Sequence, residues 1–321
     1  MIQVFKSSNL NFINKTLITE FWIQGFQIPY NYRILMFSLF FVIYIMILTG
    51  NILIIILVST NHRLHSPMYI FLSNLSLSEI FFTTSIVPNM LYVLVSGGSI
   101  MTFAGCFTQF YVFGSLISTE CFLLAVMSYD RYLAICNPLH YNVLMNSRIC
   151  FKLAVLSWLL GFLLSVITMM FITQISFCGP NMIDHFLCDF APLLNLACSD
   201  ISKVELQVFI LSFSVIVFPF TFIVLTYLSI IRTILLIPSI LGRQKAFSTC
   251  SSHLTIVSLY YGTLMFMYSA PSIKMFHNAN KILSLLYIVV TPLCNPIIYS
   301  LRNQEIKYIL QKTITVKCIL H

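Results

Sequence analysis

Apolar residues gather along the chain into seven long runs, separated by short stretches where the polar and charged residues sit. A hydrocarbon core about 30 Å thick takes about 20 apolar helical residues to cross. Runs of that length with at most one charge are Ile34–Val58, Met68–Val95, Phe103–Met127, Leu153–Ile172, Leu206–Ile231, Leu254–Ile273 and Ile282–Leu301. Five hold no charged residue, and one Lys, Arg or Asp at mid-bilayer would cost about 2.5 to 3.5 kcal/mol on insertion scales. The pattern predicts an all-α membrane protein, a seven-transmembrane helix bundle forming a single domain over residues 1–321. Residues 1–33 are the extracellular N-terminus, 34–301 the bundle, and 302–321 a cytoplasmic tail opening with a short amphipathic helix. No internal repeat of comparable extent is visible.

Composition sharpens that picture by exclusion. Of 321 residues 59% are hydrophobic and 8% charged, and mean hydropathy is +0.94. With 17 Lys+Arg and 9 Asp+Glu, a water-facing globule would be left with large apolar patches, which excludes a soluble enzyme. The net charge of +8 comes from bases placed singly or in loose pairs, without the dense basic face that phosphate tracking needs, so no nucleic-acid partner is expected. Residues 1–33 carry Lys6, Lys15, Glu20 and Arg33 and lack the layout of a cleaved secretory signal. The first run is therefore expected to target a multi-pass plasma-membrane protein.

Charge also sets orientation, because Lys and Arg are held back on the cytoplasmic side. With the N-terminus outside, Arg63, Arg131, Arg148, Lys152, Arg232, Arg243, Lys245, Arg302, Lys307, Lys312 and Lys317 are cytoplasmic, eleven in all. Six are outside: Lys6, Lys15, Arg33, Lys203, Lys274 and Lys281. Asn14-Lys15-Thr16 agrees, being a glycosylation sequon with Asn14 as acceptor. Asn74-Leu75-Ser76 fits the same pattern but lies inside the second run and reads as a helix-packing Asn. The ten cysteines divide by compartment. Cys106, Cys178, Cys188 and Cys198 face the oxidising side and allow three pairings. Cys121 and Cys294 read as packing residues within spans, and Cys136, Cys150 and Cys250 as reduced thiols at cytoplasmic helix ends. Cys318 has the spacing of a prenylation box with a poor final residue.

Candidate chemistry is sparse. Glu79 and Glu120 are the charged residues deep within the runs, and counting at 1.5 Å per residue separates their depths by about 4 Å. They could share a site, in which case a proton or a cation such as Na⁺ must offset two carboxylates in low dielectric. The alternative is two separate carboxyls, each hydrogen-bonded to a residue such as Asn51 or Ser118. Asp130-Arg131-Tyr132 places an acid beside a base at the cytoplasmic mouth of the third span, a pair that can hold until something competes. Asn295-Pro296-Ile297-Ile298-Tyr299 sets a proline in a helix interior, freeing a carbonyl beside an Asn able to bridge helices. His185-Phe186-Leu187-Cys188-Asp189 has a metal-like spacing. His253 among Ser248, Ser251 and Ser252 lacks a nucleophile elbow and is expected to face a cytoplasmic partner.

Seven spans with Gly50-Asn51, Asp130-Arg131-Tyr132, Trp158, Pro219 with Tyr227, and Asn295-Pro296-Ile297-Ile298-Tyr299 resemble the rhodopsin-like G-protein-coupled receptors. Longer blocks narrow the resemblance: Leu64-His65-Ser66-Pro67-Met68-Tyr69, Met127-Ser128-Tyr129-Asp130-Arg131-Tyr132-Leu133-Ala134-Ile135-Cys136, Lys245-Ala246-Phe247-Ser248-Thr249-Cys250-Ser251-Ser252-His253-Leu254 and Pro296-Ile297-Ile298-Tyr299-Ser300-Leu301-Arg302-Asn303. These look like the vertebrate odorant receptors, over residues 20 to 310. Departures are small: Ser128 stands for the usual Ala, Cys294 at a variable position, and Glu79 where Asp is commoner.

The resemblance implies a disulfide from Cys106 to Cys188, leaving Cys178 with Cys198, and sodium or a proton at Glu79 and Glu120. It implies a ligand pocket between the outer halves of the spans, lined by Phe113, Gly114, Ile117, Ser118, Leu211, Tyr261, Met265, Tyr268 and Ile288. Amine receptors of the class carry an Asp where Phe113 stands, so a neutral, mostly apolar volatile odorant is the expected ligand. Asp130, Arg131, Tyr132, Tyr227, Lys245, Asn295, Pro296 and Tyr299 are implied as the switch and coupling surface for a heterotrimeric G protein with the stimulatory olfactory α-subunit, which raises cyclic AMP. Lys245, Arg243 and the helix from Arg302 would meet that partner or anionic lipid. The resemblance implies no enzyme activity and no cofactor beyond a possible Na⁺. The rivals are a non-olfactory chemoreceptor of the same fold, an intramembrane enzyme, and a transporter, which would be expected to show inverted repeats.

Overall fold

The computed structural model describes residues 19–178, 181–269, 277–302, 305–309 and 311, with the side chains of 245, 249, 266–269, 277–280 and 300–302 outside the description. The predicted runs appear as helices that mostly overshoot the apolar stretches: α1 (Tyr30–Thr60), α2 (Pro67–Ser96), α3 (Phe103–Cys136), α5 (Ser147–Ile172), α7 and α8 (Ser202–Ser212 and Phe218–Leu236), α9 (Ile240–Ser269) and α10 (His277–Arg302), the predicted end of the sixth run at Ile273 lying outside the described residues. Short helices α4 (Tyr141–Leu144) and α6 (Phe190–Leu194) lie between them. Among the described residues, six helices are long and apolar enough to cross a membrane on composition alone. The exception, α9, begins well before the predicted Leu254 with a polar cytoplasmic extension. Residues 305–309 form one more helical turn, with Ile306 and Ile309 buried and Glu305, Lys307 and Tyr308 exposed.

Local chemistry sets the helix ends. Pro67 opens α2 after extended Ser66, its missing N–H falling where no intrahelical bond would form. Gly97 ends that helix at φ 78°, and a Cβ there would lie 2.3 Å from the Arg33 guanidinium, so the left-handed turn and the close approach both require glycine. The Thr102 side chain accepts from Gly105 N (3.1 Å) to cap α3, and Asn146 accepts from Ile149 N (3.0 Å) to cap α5. A Cβ at Gly161 would lie 2.3 Å from Thr119 Oγ1 and 2.7 Å from Ser115 O. The small residue is what lets α5 lie directly on α3. Between α7 and α8, residues Phe213–Val217 form a π turn just ahead of Pro219, whose ring nitrogen cannot continue the regular ladder.

One element lies outside the hydropathy reading. Strand β1 (Glu20–Ile23) pairs antiparallel with β2 (Ser99–Thr102) and parallel with β3 (Met182–Ile183), in the order β2-β1-β3. Phe21 and Ile23 are fully buried beneath this sheet. It shares its side of the molecule with both disulfides, Cys106–Cys188 and Cys178–Cys198, and this is the outer side on the positive-inside count. Lys281, at the outer end of α10, donates to Asp184 Oδ1 (2.5 Å) and Gly25 O (3.0 Å), tying the last helix to this cap.

Candidate functional site

A cavity of about 100 Å³ opens in the outer half of the bundle between α3, α5, the α7–α8 junction and the loop that follows β3. Phe113, Gly114, Ile117 and Ser118 of α3 and Leu211 of α7 line it, five of the positions that the resemblance implied. Val215 and Ile216 reach it from the π turn, where the extra residue per turn re-aims side chains that a regular helix would direct elsewhere. The wall is mostly apolar. Two of its hydroxyls are engaged within their own helices, Ser118 with Gly114 O (2.9 Å) and Ser165 with Gly161 O (3.0 Å).

Three implied positions lie elsewhere. The inward stripe of α9 is Val257, Tyr260, Tyr261 and Leu264, a helical repeat that leaves Met265 off the face, 38% exposed toward lipid. Tyr261 is buried, but its hydroxyl reaches Cys121 O (3.4 Å), below the cavity. Ile288 is fully buried in the helix core. The side chain of Tyr268 lies outside the described residues, as does Asn14. Tyr260, absent from the sequence reading, connects the region: Tyr287 OH donates to Tyr260 OH (3.2 Å), which donates to Ile117 O (2.8 Å) on the cavity wall.

At mid-bundle Glu79 and Glu120 are both buried and interact electrostatically. Asn295 of α10 donates to Glu79, and Ser78 donates to Glu120 Oε1 (3.2 Å). Ser118 is therefore not the partner of Glu120, since its hydroxyl turns back onto its own helix. Asn51 Nδ2 donates to Ile47 O (3.2 Å) and Pro292 O (3.4 Å), bridging α1 to α10. Four oxygens nearby, Glu79 Oε2, Asn51 Oδ1, Asn295 Oδ1 and Thr291 Oγ1, are buried without a hydrogen-bond partner among the described residues. Such an all-oxygen set suits a hard cation or a proton.

Asp130, Arg131 and Tyr132 lie within α3, because that helix runs on past Met127 to Cys136. Arg131 donates from Nε (3.1 Å) and Nη2 (2.6 Å) to Asp130 Oδ2, while Tyr141 of α4 donates to Asp130 Oδ1 (2.8 Å). Burial and the adjacent Asp130 carboxylate push the Tyr141 phenol above its ordinary pKa, so it stays a donor at any physiological pH. Tyr132 stacks on Tyr129 at 6.4 Å. Tyr227 makes no hydrogen bond to Arg131 among the described residues, though the two lie within electrostatic range. Its hydroxyl pairs with His253 Nδ1 at 2.7 Å, joining α8 to α9. His253 is 1% exposed, which corrects the expectation that it faces a cytoplasmic partner: the phenol of Tyr227 gives its ring a buried hydrogen bond. Pro296 lies inside α10, Tyr299 is fully buried, and the Lys245 side chain is outside the described residues.

On the outer face, Cys106 is bonded to Cys188 and Cys178 to Cys198, so Cys188 has no thiolate to give a metal. Gln109, which sequence reasoning missed, accepts from Cys188 N (3.0 Å) and donates to Ser85 O (3.0 Å), pinning the loop to α2 and α3. Asp189, the last residue of the metal-like string from His185, lines the cavity. Its position directly after the bonded Cys188 was the one signal available for finding it.

A family model described as olfactory receptor matches residues 40–317. Human olfactory receptor 11G2 is 50% identical over 299 residues, covering 93% of this chain and 87% of that one. Human olfactory receptor 6B1 is 47% identical over 299 residues, with 93% and 96% covered, and rat olfactory receptor 226 is 45% identical over 301, with 92% of each covered. Among solved structures squid rhodopsin superposes with a TM-score of 0.73 at 18% identity, over 90% of this chain and 82% of that one, a likeness of fold. Seven-helix architecture, the cavity at one end and the ion pair at the other converge with these matches: the chain is a multi-pass plasma-membrane receptor, not an enzyme, and it belongs to the olfactory receptor family.

Proposed function

We propose that the receptor binds a small, mostly apolar volatile in the outer cavity and activates a stimulatory olfactory-type G protein, raising cyclic AMP. The observation that carries this reading is the apolar cavity closed by the disulfide-held loop, of a character suited to a small ligand. A ligand that fits better when the wall rearranges shifts a pre-existing equilibrium. Ile117 is the point of transmission: it touches the cavity, and its carbonyl holds Tyr260 of α9. Movement of α9 strains the Tyr227–His253 contact, and Arg131 leaves Asp130 to meet the G protein. Lys245 and Arg243 and the turn at 305–309 contact that partner or anionic lipid. In the resting state Na⁺ or a proton occupies the oxygen cluster around Glu79, offsetting the charge of two buried carboxylates.

The test is cyclic AMP in cells expressing the chain with the olfactory α-subunit, against a panel of neutral volatiles, with Arg131→Ala in parallel. A response that disappears in the variant at equal surface level is the expected result. A response that survives Arg131→Ala removes the proposed coupling route.

A further inference from the structure

Within the cavity wall Asp189 is the one residue that carries a formal charge at neutral pH in its ordinary state; the others are apolar, hydroxylic or glycine. Three constraints fix it. Its neighbour Cys188 is bonded to Cys106 of α3, the Cys188 N–H is held by Gln109, and its own Oδ1 accepts from Phe190 N (2.7 Å) at the start of α6. Its other oxygen, Oδ2, makes no hydrogen bond to the described residues, and the residue is half-buried, open to the cavity. Burial pushes the carboxyl above the usual carboxylate range. A preorganised acceptor in an apolar chamber discriminates strongly: a ligand that donates to it gains the bond, and one that cannot leaves it unpaired. Phe113, facing the same cavity, offers no polar group to compete.

Taking this cavity as the ligand site, we infer that Asp189 selects the ligand's head group, so the receptor takes molecules with one apolar tail and one hydrogen-bond-donating head, a primary alcohol or a primary amine. The tail lies against Phe113, Leu211 and Val215, and the head donates to Asp189 Oδ2.

Matched n-alkyl series carrying four to eight carbons test this: 1-alkanols, primary alkylamines, alkanals and methyl ethers, read as cyclic AMP in cells expressing the intact receptor, Asp189→Asn or Asp189→Ala. Alcohols or amines should act at concentrations at least about tenfold below the aldehydes and ethers, the worth of one such bond. Asp189→Asn keeps an acceptor and a good helix cap. It should leave an alcohol response within about threefold and abolish an amine response, which tells the two heads apart, whereas Asp189→Ala should erase the preference for donors. If Asp189→Ala fails to reach the surface, the alcohol-against-amine contrast in Asp189→Asn decides. The inference falls if the ranking of head groups is the same in all three proteins, or if ethers and aldehydes match the donors. It falls also if no series acts on a receptor whose Arg131-dependent basal cyclic AMP shows that it couples; the receptor reading then stands. Loss of both that basal signal and every response would overturn the receptor reading too.

Discussion

The outer and cytoplasmic ends of this molecule are held by different kinds of bond. Outside, two disulfides, a three-stranded sheet, the Gln109 bridge and the Lys281–Asp184 pair fasten the long loop over the cavity. Inside, no disulfide or strand pairing is found among the described residues: Asp130 holds Arg131 of its own helix and accepts from Tyr141 of α4, and Tyr227 of α8 pairs with His253 of α9, over apolar packing. Covalent links and strand pairing suit a chamber that must keep its shape while a ligand is weighed. Ion pairs and single hydrogen bonds, each worth about 1 to 3 kcal/mol, suit a surface that must open when the equilibrium moves. The contrast says which end is the template and which is the switch.

Breaking the outer end should have the largest effect. The Cys106–Cys188 bond closes a separation of 82 residues and Cys178–Cys198 one of 20, so chain-entropy reasoning assigns about 4.5 kcal/mol to the first and about 3.3 to the second. Cys106→Ser should remove nearly all surface protein, and Cys178→Ser distinctly less, as read by antibody staining of unpermeabilised cells; equal losses would show that the loop's anchoring to α3 is not what matters. At the other end, Tyr141→Phe deletes one hydrogen bond to a buried carboxylate. Surface level should hold while basal cyclic AMP rises, up to about tenfold if the bond exists in the resting state alone. An unchanged basal level would mean that Tyr141 follows Asp130 through the transition.

The carboxylates between the two ends offer the finest probe. If Na⁺ at Glu79 favours the resting state, replacing it outside with a bulky organic cation should shift the odorant dose response to lower concentration by about fivefold, the low end of typical coupling between sites. Glu79→Ala should abolish the shift. A shift that persists in Glu79→Ala would place the ion elsewhere.

Much of this was legible in the residues themselves. Seven apolar runs, the asymmetry of Lys and Arg, the two carboxylates and the motif blocks needed no packing information, because the bilayer imposes length and charge on each segment separately. Rotation about a helix axis is different, since hydropathy averaged along a span is blind to it. Hence Met265 fell outside the bundle and Tyr260 inside it, one residue from an expected position. Contacts between segments far apart in sequence were equally hidden. Ser78 meets Glu120 from another helix, Tyr141 reaches Asp130 from the short helix α4, and Asp189 comes to the cavity because a disulfide carries its loop over α3. Strand β1 escaped because four alternating residues disappear within a window of twenty. The sequence by itself determined that the chain crosses the membrane, in which direction, and that Glu79 and Glu120 lie within spans, while the burial of Asp130 and Lys281 came from packing. Tertiary structure alone decided which side chains meet in the cavity and at the switch, because those meetings depend on helix rotation and loop path, and neither is a property of any one segment.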